Sequence, residues 1–212
     1  IIQDEQVTFS KSSEYLMNPE TFGDDKIIDK LLNIHNAALS YNNILDCPVA
    51  YQYMKTDKLF LSQNKELSQS ILWSTAFIQP IASSNGETHY YYSPVSAMGG
   101  VEILDGLMEK VSPACKSVLE LLTCSPVTPG EYDVICMPDV TGMIAHEAFG
   151  HGVEMDMFVK KRALAEKYIG EYVASPLVTM HDKASDSIEA GSYYFDDEGT
   201  ISQDTVIIEK GI

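Results

Sequence analysis

The sequence predicts an α+β fold: a mostly antiparallel sheet with a few helices, arranged as two sub-domains. Three observations carry this prediction. Stretches that alternate apolar with polar residues are mixed with a few helical ones, without the strict strand-helix alternation of a parallel, doubly wound sheet. The pair Asn85-Gly86, set between two strand-like stretches, is a strong hairpin signal. The run SPVTPGEYD, with Pro126, Pro129 and Gly130, interrupts the pattern and marks a boundary. The expected sub-domains are residues 1–124, an amino-terminal helix plus antiparallel meander, and residues 125–212.

Residues 24–41 (DDKIIDKLLNIHNAALSY) place Ile27, Ile28, Leu31, Leu32, His35, Ala38 and Leu39 at helical spacing behind a capping Asp. His35 falls near the apolar stripe and is read as a hydrogen-bonded structural histidine. PVAYQYM, KLFLSQ and ELSQSILWSTAFIQPIA then read as strands, punctuated at Thr56-Asp57 and Asn64-Lys65. Tyr90, Tyr91 and Tyr92 follow the hairpin with no basic residue interleaved, so they are read as covering a sheet face and edge, not as a base-stacking platform. Residues 95–100 (VSAMGG) read as a loop. VEILDGLMEKV and PACKSVLELLTC read as helices, with Pro113 in a first turn, where its missing N–H costs little. Past the boundary, YDVICM reads as a short buried strand leading through Pro138 and Asp139 into a helix. PLVTMHD, SIEAGSYYF and DTVIIEKG read as strands, with a tight turn at residues 196–199.

Composition bounds the function. A chain of 212 residues with 45% hydrophobic content can build a core. Its formal charge of -17, from 31 acidic and 14 basic residues, repels phosphate backbones and anionic lipid heads, so no direct nucleic-acid or membrane partner is expected. No run approaches the roughly 20 apolar residues that cross a bilayer, and the amino end has no signal pattern. The chain starts on Ile and ends in mid-pattern on IIEKGI, which reads as a piece of a longer protein. Cys47, Cys115, Cys124 and Cys136 form no C-x-x-C pair and are expected to be reduced thiols in a cytoplasmic protein. Cys136 lies ten residues before His146 but sits in an apolar run, which favours a core thiol over a ligand.

The chemistry sits in AHEAFGHGVEMD, residues 145–156, where His146 and His151 are five positions apart and Glu147 follows the first directly. The zinc-peptidase pattern H-E-x-x-H separates its histidines by four, which stacks them on one helical face. A five-residue step in a regular helix points the two side chains about 140° apart, so an undistorted helix cannot bring both to one ion. A π-type widening or a helix end would restore convergence, and Gly150 and Gly152 provide the backbone latitude for either. His146 and His151 would then hold a metal, with a zinc-bound water activated by Glu147 as general base. The other reading is an ordinary helix with polar residues at its two ends. Spacing singles out no third ligand among Glu154, Asp156, Glu166, Glu171 and His181. Glu154, three residues after His151, could instead hold that histidine in its ligating tautomer. Solvated helix faces for the glutamates and a strand-end position for His181 are the plain alternatives.

The run PGEYDVICMPDVTGMIAHEAFGHGVEMD resembles a block of the TldD/PmbA family, specifically its metal-bearing TldD-type members: a Gly-Glu-Tyr strand, a loop, and an HExxxH helix followed by G-hydrophobic-E-x-D. The likeness continues through GEYVASPLVTMHD, the FDDEG turn and IIEKGI, and thus covers residues 125–212. LFLSQNKELSQSILWSTAFIQPIASSNGETHYYY is similar in pattern to the family's amino-terminal meander. The resemblance implies a zinc-dependent peptidase acting on unfolded or flexible peptides, with His146 and His151 as Zn2+ ligands and Glu147 as catalytic base. It implies a homodimer, or a heterodimer with a PmbA-type subunit that lacks the HExxxH residues. It also implies a cysteine as third ligand, beyond Ile212, so that none of the four cysteines present takes that role. Residues 1–212 alone are then expected to bind little metal and to show little activity. A different class of reading is a non-catalytic peptide-binding subunit of a TldD/PmbA-type complex, capturing extended chains at strand edges. The family's older label, modulator of DNA gyrase, is disfavoured as direct DNA contact by the acidic charge.

Overall fold

The computed structural model describes residues 5–184 and 188–212, and it divides into two units: Ile1–Pro126 with Ala184–Gln203, and Val127–Lys183 with Asp204–Ile212. The first unit holds, in chain order, β1 (Val7–Ser12), α1 (Pro19–Phe22), α2 (Asp24–Leu39), β2 (Ile44–Asp46), β3 (Val49–Leu61), β4 (Lys65–Ile78), β5 (Ile81–Ser84), β6 (Glu87–Tyr90), β7 (Ser93–Met98), α3 (Ile103–Glu109) and α4 (Val111–Leu121). Strand and helix are mixed without regular alternation, and the class is α+β.

β4 is the organising strand. One of its edges pairs antiparallel with β3 along the whole length; the other pairs with β1 at Lys65–Ser70 and with β7 at Trp73–Ile78. Its burial pattern changes face in the middle: Leu67, Gln69 and Ile71 are buried in the first half, and Leu72, Ser74, Ala76 and Ile78 in the second. Because side chains alternate across a strand, this one-residue slip means that the two halves bury opposite faces. Ala76 and Ile78 join a core formed by α2, α3 and α4, with Ile34, Val101, Leu104, Leu107 and Val118. In the first half, the Gln69 side chain accepts the N–H groups of Tyr194 and Phe195 and donates to the Phe195 carbonyl. Phe195 is fully buried and meets Phe9 edge-on at 6.3 Å. Residues 188–203, expected to belong to the second sub-domain, are therefore grouped with the first unit.

Helix α2 forms where its periodicity places it, but its buried stripe is narrower than expected. Ile27, Leu31, Ile34 and Ala38 face the core, whereas Ile28 and Leu32 are half exposed. His35 donates from Nδ1 to the Cys47 carbonyl at 2.9 Å, the structural role expected of it. Asn85 and Gly86 both take positive φ, 54° and 86°, as a two-residue type I′ turn requires, and they join β5 to β6. Pro113 is the third residue of α4, inside its first turn.

Other expectations fail for reasons of pairing. Thr56-Asp57 is no break: both residues lie inside β3, opposite Ile71 and Ser70 of β4, and the continuous partner carries the strand through. The expected loop at 95–100 is β7 as far as Met98, because β4 offers it an unpaired edge. β1, not anticipated, lies parallel to β4 on that same edge. YDVICM has no strand partner among the described residues, and Ile135 is 95% exposed, so it is neither a strand nor buried. Of SIEAGSYYF, residue 187 lies outside the described set, and the strand pairing of the remainder is limited to an isolated bridge, Phe195 to Ile201. The 196–199 turn forms as expected: Asp196 Oδ1 accepts the N–H groups of Glu198 and Thr200, and Gly199 takes φ +74°.

One polar anchor ties the amino-terminal segment to α3. The Glu102 carboxylate accepts N–H groups from Leu16, Met17 and Gly100 at 3.1, 2.9 and 2.8 Å. Burial pushes this carboxyl up, but the backbone donors outweigh burial and hold it below its ordinary value. A depressed carboxyl stabilises the fold above its unfolded value of about 4.3, and that contribution disappears as pH falls through the folded value. Glu102→Gln is therefore expected to cost about 1–3 kcal/mol at pH 7 and progressively less in acid. Urea unfolding of both proteins between pH 7 and pH 3 checks this; a pH-independent difference would remove the charge from the explanation. Among the described residues, no helix is long and apolar enough to cross a membrane.

Candidate metal centre

The second unit carries α5 (Pro138–Ala148), a 3-10 turn (Gly150–Val153), α6 (Met155–Val159), a second 3-10 turn (Leu164–Tyr168), and the antiparallel pair β8 (Met180–Lys183) and β9 (Asp204–Ile208). Pro138 opens α5 at a position where no N–H is needed. The helix ends just after the first histidine. Phe149 leaves helical geometry at φ -132°, ψ -41°, while its N–H still reaches the Ala145 carbonyl at 3.2 Å.

His146 and Glu147 thus sit on the last turn of α5 and His151 on the tighter turn that follows. This change of winding brings the imidazoles together, with ring centroids 4.4 Å apart at 68°. The distortion is a helix end and not a π-type widening. Neither Gly150 nor Gly152 takes a positive φ, so the turn uses ordinary backbone angles. A β-carbon at Gly150 would stand in ordinary contact, 3.6 Å from the Ala145 carbonyl oxygen and 3.9 Å from His146 Nδ1, so the turn does not require glycine for space there either.

Ligand-type atoms of His146, Glu147 and His151 all lie within 4.8 Å of one another, and all three residues are exposed. His151 Nδ1 lies 2.6 Å from Glu154 Oε1, which leaves Nε2, 3.9 Å from Glu147 Oε2, for another partner. The hydrogen bond to Glu154, then the Glu154 charge and finally Glu147, push the His151 imidazole above its ordinary value. Two imidazoles, one with its far nitrogen held by a carboxylate, are the donor set that zinc and similar borderline cations take. The residues present fit such an ion.

The other sequence candidates stand apart from this cluster among the described residues. Asp156 is paired with Lys160 at 2.6 Å, which holds its carboxyl low. Glu166 lies in the second 3-10 turn. Cys136 is exposed in the unpaired segment before α5, which corrects its reading as a core thiol. Cys47 and Cys115 are buried; burial pushes the Cys47 thiol up to about 11 and raises Cys115 as well, so neither is a ready ligand.

His181 is in β8, with Nδ1 2.7 Å from Asp204 Oδ1. A cleft of about 490 Å³ is lined by His146, Gly150, Glu154, Met180, His181 and Asp182. A separate, apolar cleft of about 410 Å³, lined by Phe149, Leu164, Tyr168 and Tyr172 among others, adjoins the helix end. Asp204 was not a sequence candidate. It stands 23 residues from His181, and only the β8–β9 register puts the two on one face.

A family profile described as the PmbA/TldA metallopeptidase C-terminal domain matches residues 129–212. The chain is 30% identical over 182 residues to a metalloprotease of Methanothermobacter thermautotrophicus, covering 84% of this chain and 39% of that protein. It is 26% identical over 193 residues to a zinc metalloprotease TldD homolog of Saccharolobus solfataricus, covering 87% of this chain and 43% of that one. The chain thus spans about two fifths of the length of these curated relatives. TldE of Thermococcus kodakarensis has the same fold at a TM-score of 0.62 and 15% identity, over 98% of this chain and 49% of that chain. A candidate modulator of a DNA gyrase from Thermotoga maritima matches at 0.76 and 17% identity, over 93% and 46%. By its matched domain and its metalloprotease relatives, the chain belongs to the TldD/PmbA family of metallopeptidases.

Proposed function

We propose that this chain carries the metal-binding helix of a zinc-dependent peptidase that hydrolyses unfolded or flexible peptides, with His146 and His151 as ligands and Glu147 as catalytic base. The observation that carries this reading is the convergence of His146, Glu147 and His151 within 4.8 Å despite a spacing that a regular helix would spread apart. When bound, zinc lowers the pKa of a water to about 7 and polarises a carbonyl oxygen. Glu147, one residue from His146, is free to take a proton from the attacking water at its carboxylate. Glu154 keeps the proton of His151 on Nδ1, so that Nε2 presents its lone pair. The apolar cleft beside the helix end suits side chains of an unfolded segment, which a folded substrate keeps in its own core.

The rest of the proposal reaches outside these residues. It takes the third ligand from a cysteine beyond Ile212, a homodimer or a PmbA-type partner as the assembly, and the cytoplasm as the compartment. Metal analysis of the full-length protein tests the centre: about one zinc per chain is expected, with cleavage abolished by a chelator and restored by zinc. His151→Ala should lower metal affinity by at least about 10-fold. A full-length protein that cleaves peptides equally well without metal would end the proposal. One that binds peptides but never cleaves them would favour the non-catalytic subunit instead.

A further inference from the structure

The β8–β9 pair places a further ionisable side chain, His181, at the cleft that His146 lines. The register slips between Met180 and His181: Met180 faces Ile208, but His181 faces Val206. Such a bulge bends a strand and re-aims side chains, and bulges are over-represented beside active sites. The extra residue is Ile207 of β9, and Met180, His181, Asp182 and Ile207 line the cleft together with His146 and Glu154. Asp204, two residues before Val206, is diagonal to His181 on the same face. Its Oδ1 holds His181 Nδ1 at 2.7 Å, and its Oδ2 lies 3.6 Å from Lys183 Nζ. The hydrogen bond from His181, with its charge and that of Lys183, keeps the Asp204 carboxyl low, so this partner stays an acceptor. With Nδ1–H committed to Asp204, the exchangeable position of the ring is Nε2. His181 itself stands outside the metal-ligand cluster.

We propose that His181, oriented by Asp204, is a proton carrier of this cleft that serves the departing amine, while Glu147 serves the attacking water. The inference rests on the peptidase reading above. As the water oxygen bonds to the carbonyl carbon, Glu147 takes the water proton. As the C–N bond breaks, protonated His181 gives its Nε2 proton to the amine nitrogen and becomes neutral, its Nδ1–H still on Asp204. Glu147 then releases its proton to solvent and His181 takes one up. The titratable and charged groups around His181 are Asp204 and Lys183 on the paired strands, Asp182 beside it, and Glu154 with His146 across the cleft.

The test uses full-length protein carrying His181→Ala, His181→Gln, Asp204→Asn or Glu147→Gln, with zinc content measured on each. His181→Ala is expected to lower kcat by about 10²-fold with KM nearly unchanged, to abolish the alkaline limb of the pH–kcat profile, and to regain activity with added imidazole. Asp204→Asn is expected to lose about 10-fold and to keep that limb. A readout that needs no turnover comes from long-range ¹⁵N–¹H spectra of the metal-free protein. There His181 should carry its proton on Nδ1 in wild type and shift toward Nε2 in Asp204→Asn. Full activity of His181→Ala beside a dead Glu147→Gln would overturn this inference and leave the peptidase intact. Loss of zinc in His181→Ala would overturn it too, by making His181 a ligand. Wild-type turnover in Glu147→Gln, or no cleavage by wild type, would sink the peptidase reading first and this inference with it.

Discussion

Glu147→Gln in the full-length protein is expected to reduce kcat for peptide cleavage by about 10²–10⁴-fold while bound zinc stays near wild type. Glutamine keeps the size and the hydrogen-bonding edge of glutamate but cannot take a proton. The two imidazoles are untouched, and Glu154 still holds His151 Nδ1. Loss of rate with retention of metal is therefore the signature of a base, and it separates Glu147 from its neighbours. His146 and His151 substitutions should lose both metal and rate. Peptide turnover and metal content measured on the same preparations decide it. Were Glu147→Gln to turn over at the wild-type rate, proton transfer by this carboxylate would be excluded.

The largest effect on folding is expected at Gly100. A β-carbon there would lie 2.0 Å from the Met17 carbonyl oxygen and 2.9 Å from Glu102 Oε2. Neither can withdraw cheaply. The Met17 carbonyl accepts the Val101 N–H at 2.9 Å, the Met17 N–H is bound by Glu102, and Val101 is fully buried. Gly100→Ala must push the segment around Met17 off the start of α3, breaking these bonds together, at a cost of about 3–5 kcal/mol. Against a total stability of about 5–15 kcal/mol, that approaches unfolding of the unit. Gly106→Ala is the control: it lies inside α3 with nothing within 4 Å, and should stabilise by about 0.5–1 kcal/mol. Chemical denaturation of the two variants should move the midpoint in opposite directions. Equal midpoints would show that residues around Met17 yield freely.

Much of the first unit was legible because its signals are local. α2, α3 and α4 follow from spacing along the chain, and the Asn85-Gly86 turn from backbone chemistry that few residues tolerate. The alternation in β4 was visible too, but its change of face at Ile71–Leu72 was not. That slip exists because one end of the strand meets the helices and the other meets residues near Phe195, and no short window contains both partners.

By itself the sequence determined the fold class, the choice of His146, Glu147 and His151 as candidates, and the geometric problem posed by their spacing. Tertiary structure decided how that problem is solved, by ending α5 at Ala148 and continuing in a tighter turn. It also decided that β1 and β7 share one edge of β4, and that Asp204 reaches His181 across a bulged pair. The physical reason is common to all three. Periodicity and motif spacing report what a residue needs nearby, whereas strand register and helix termination depend on which distant backbone groups are left to satisfy.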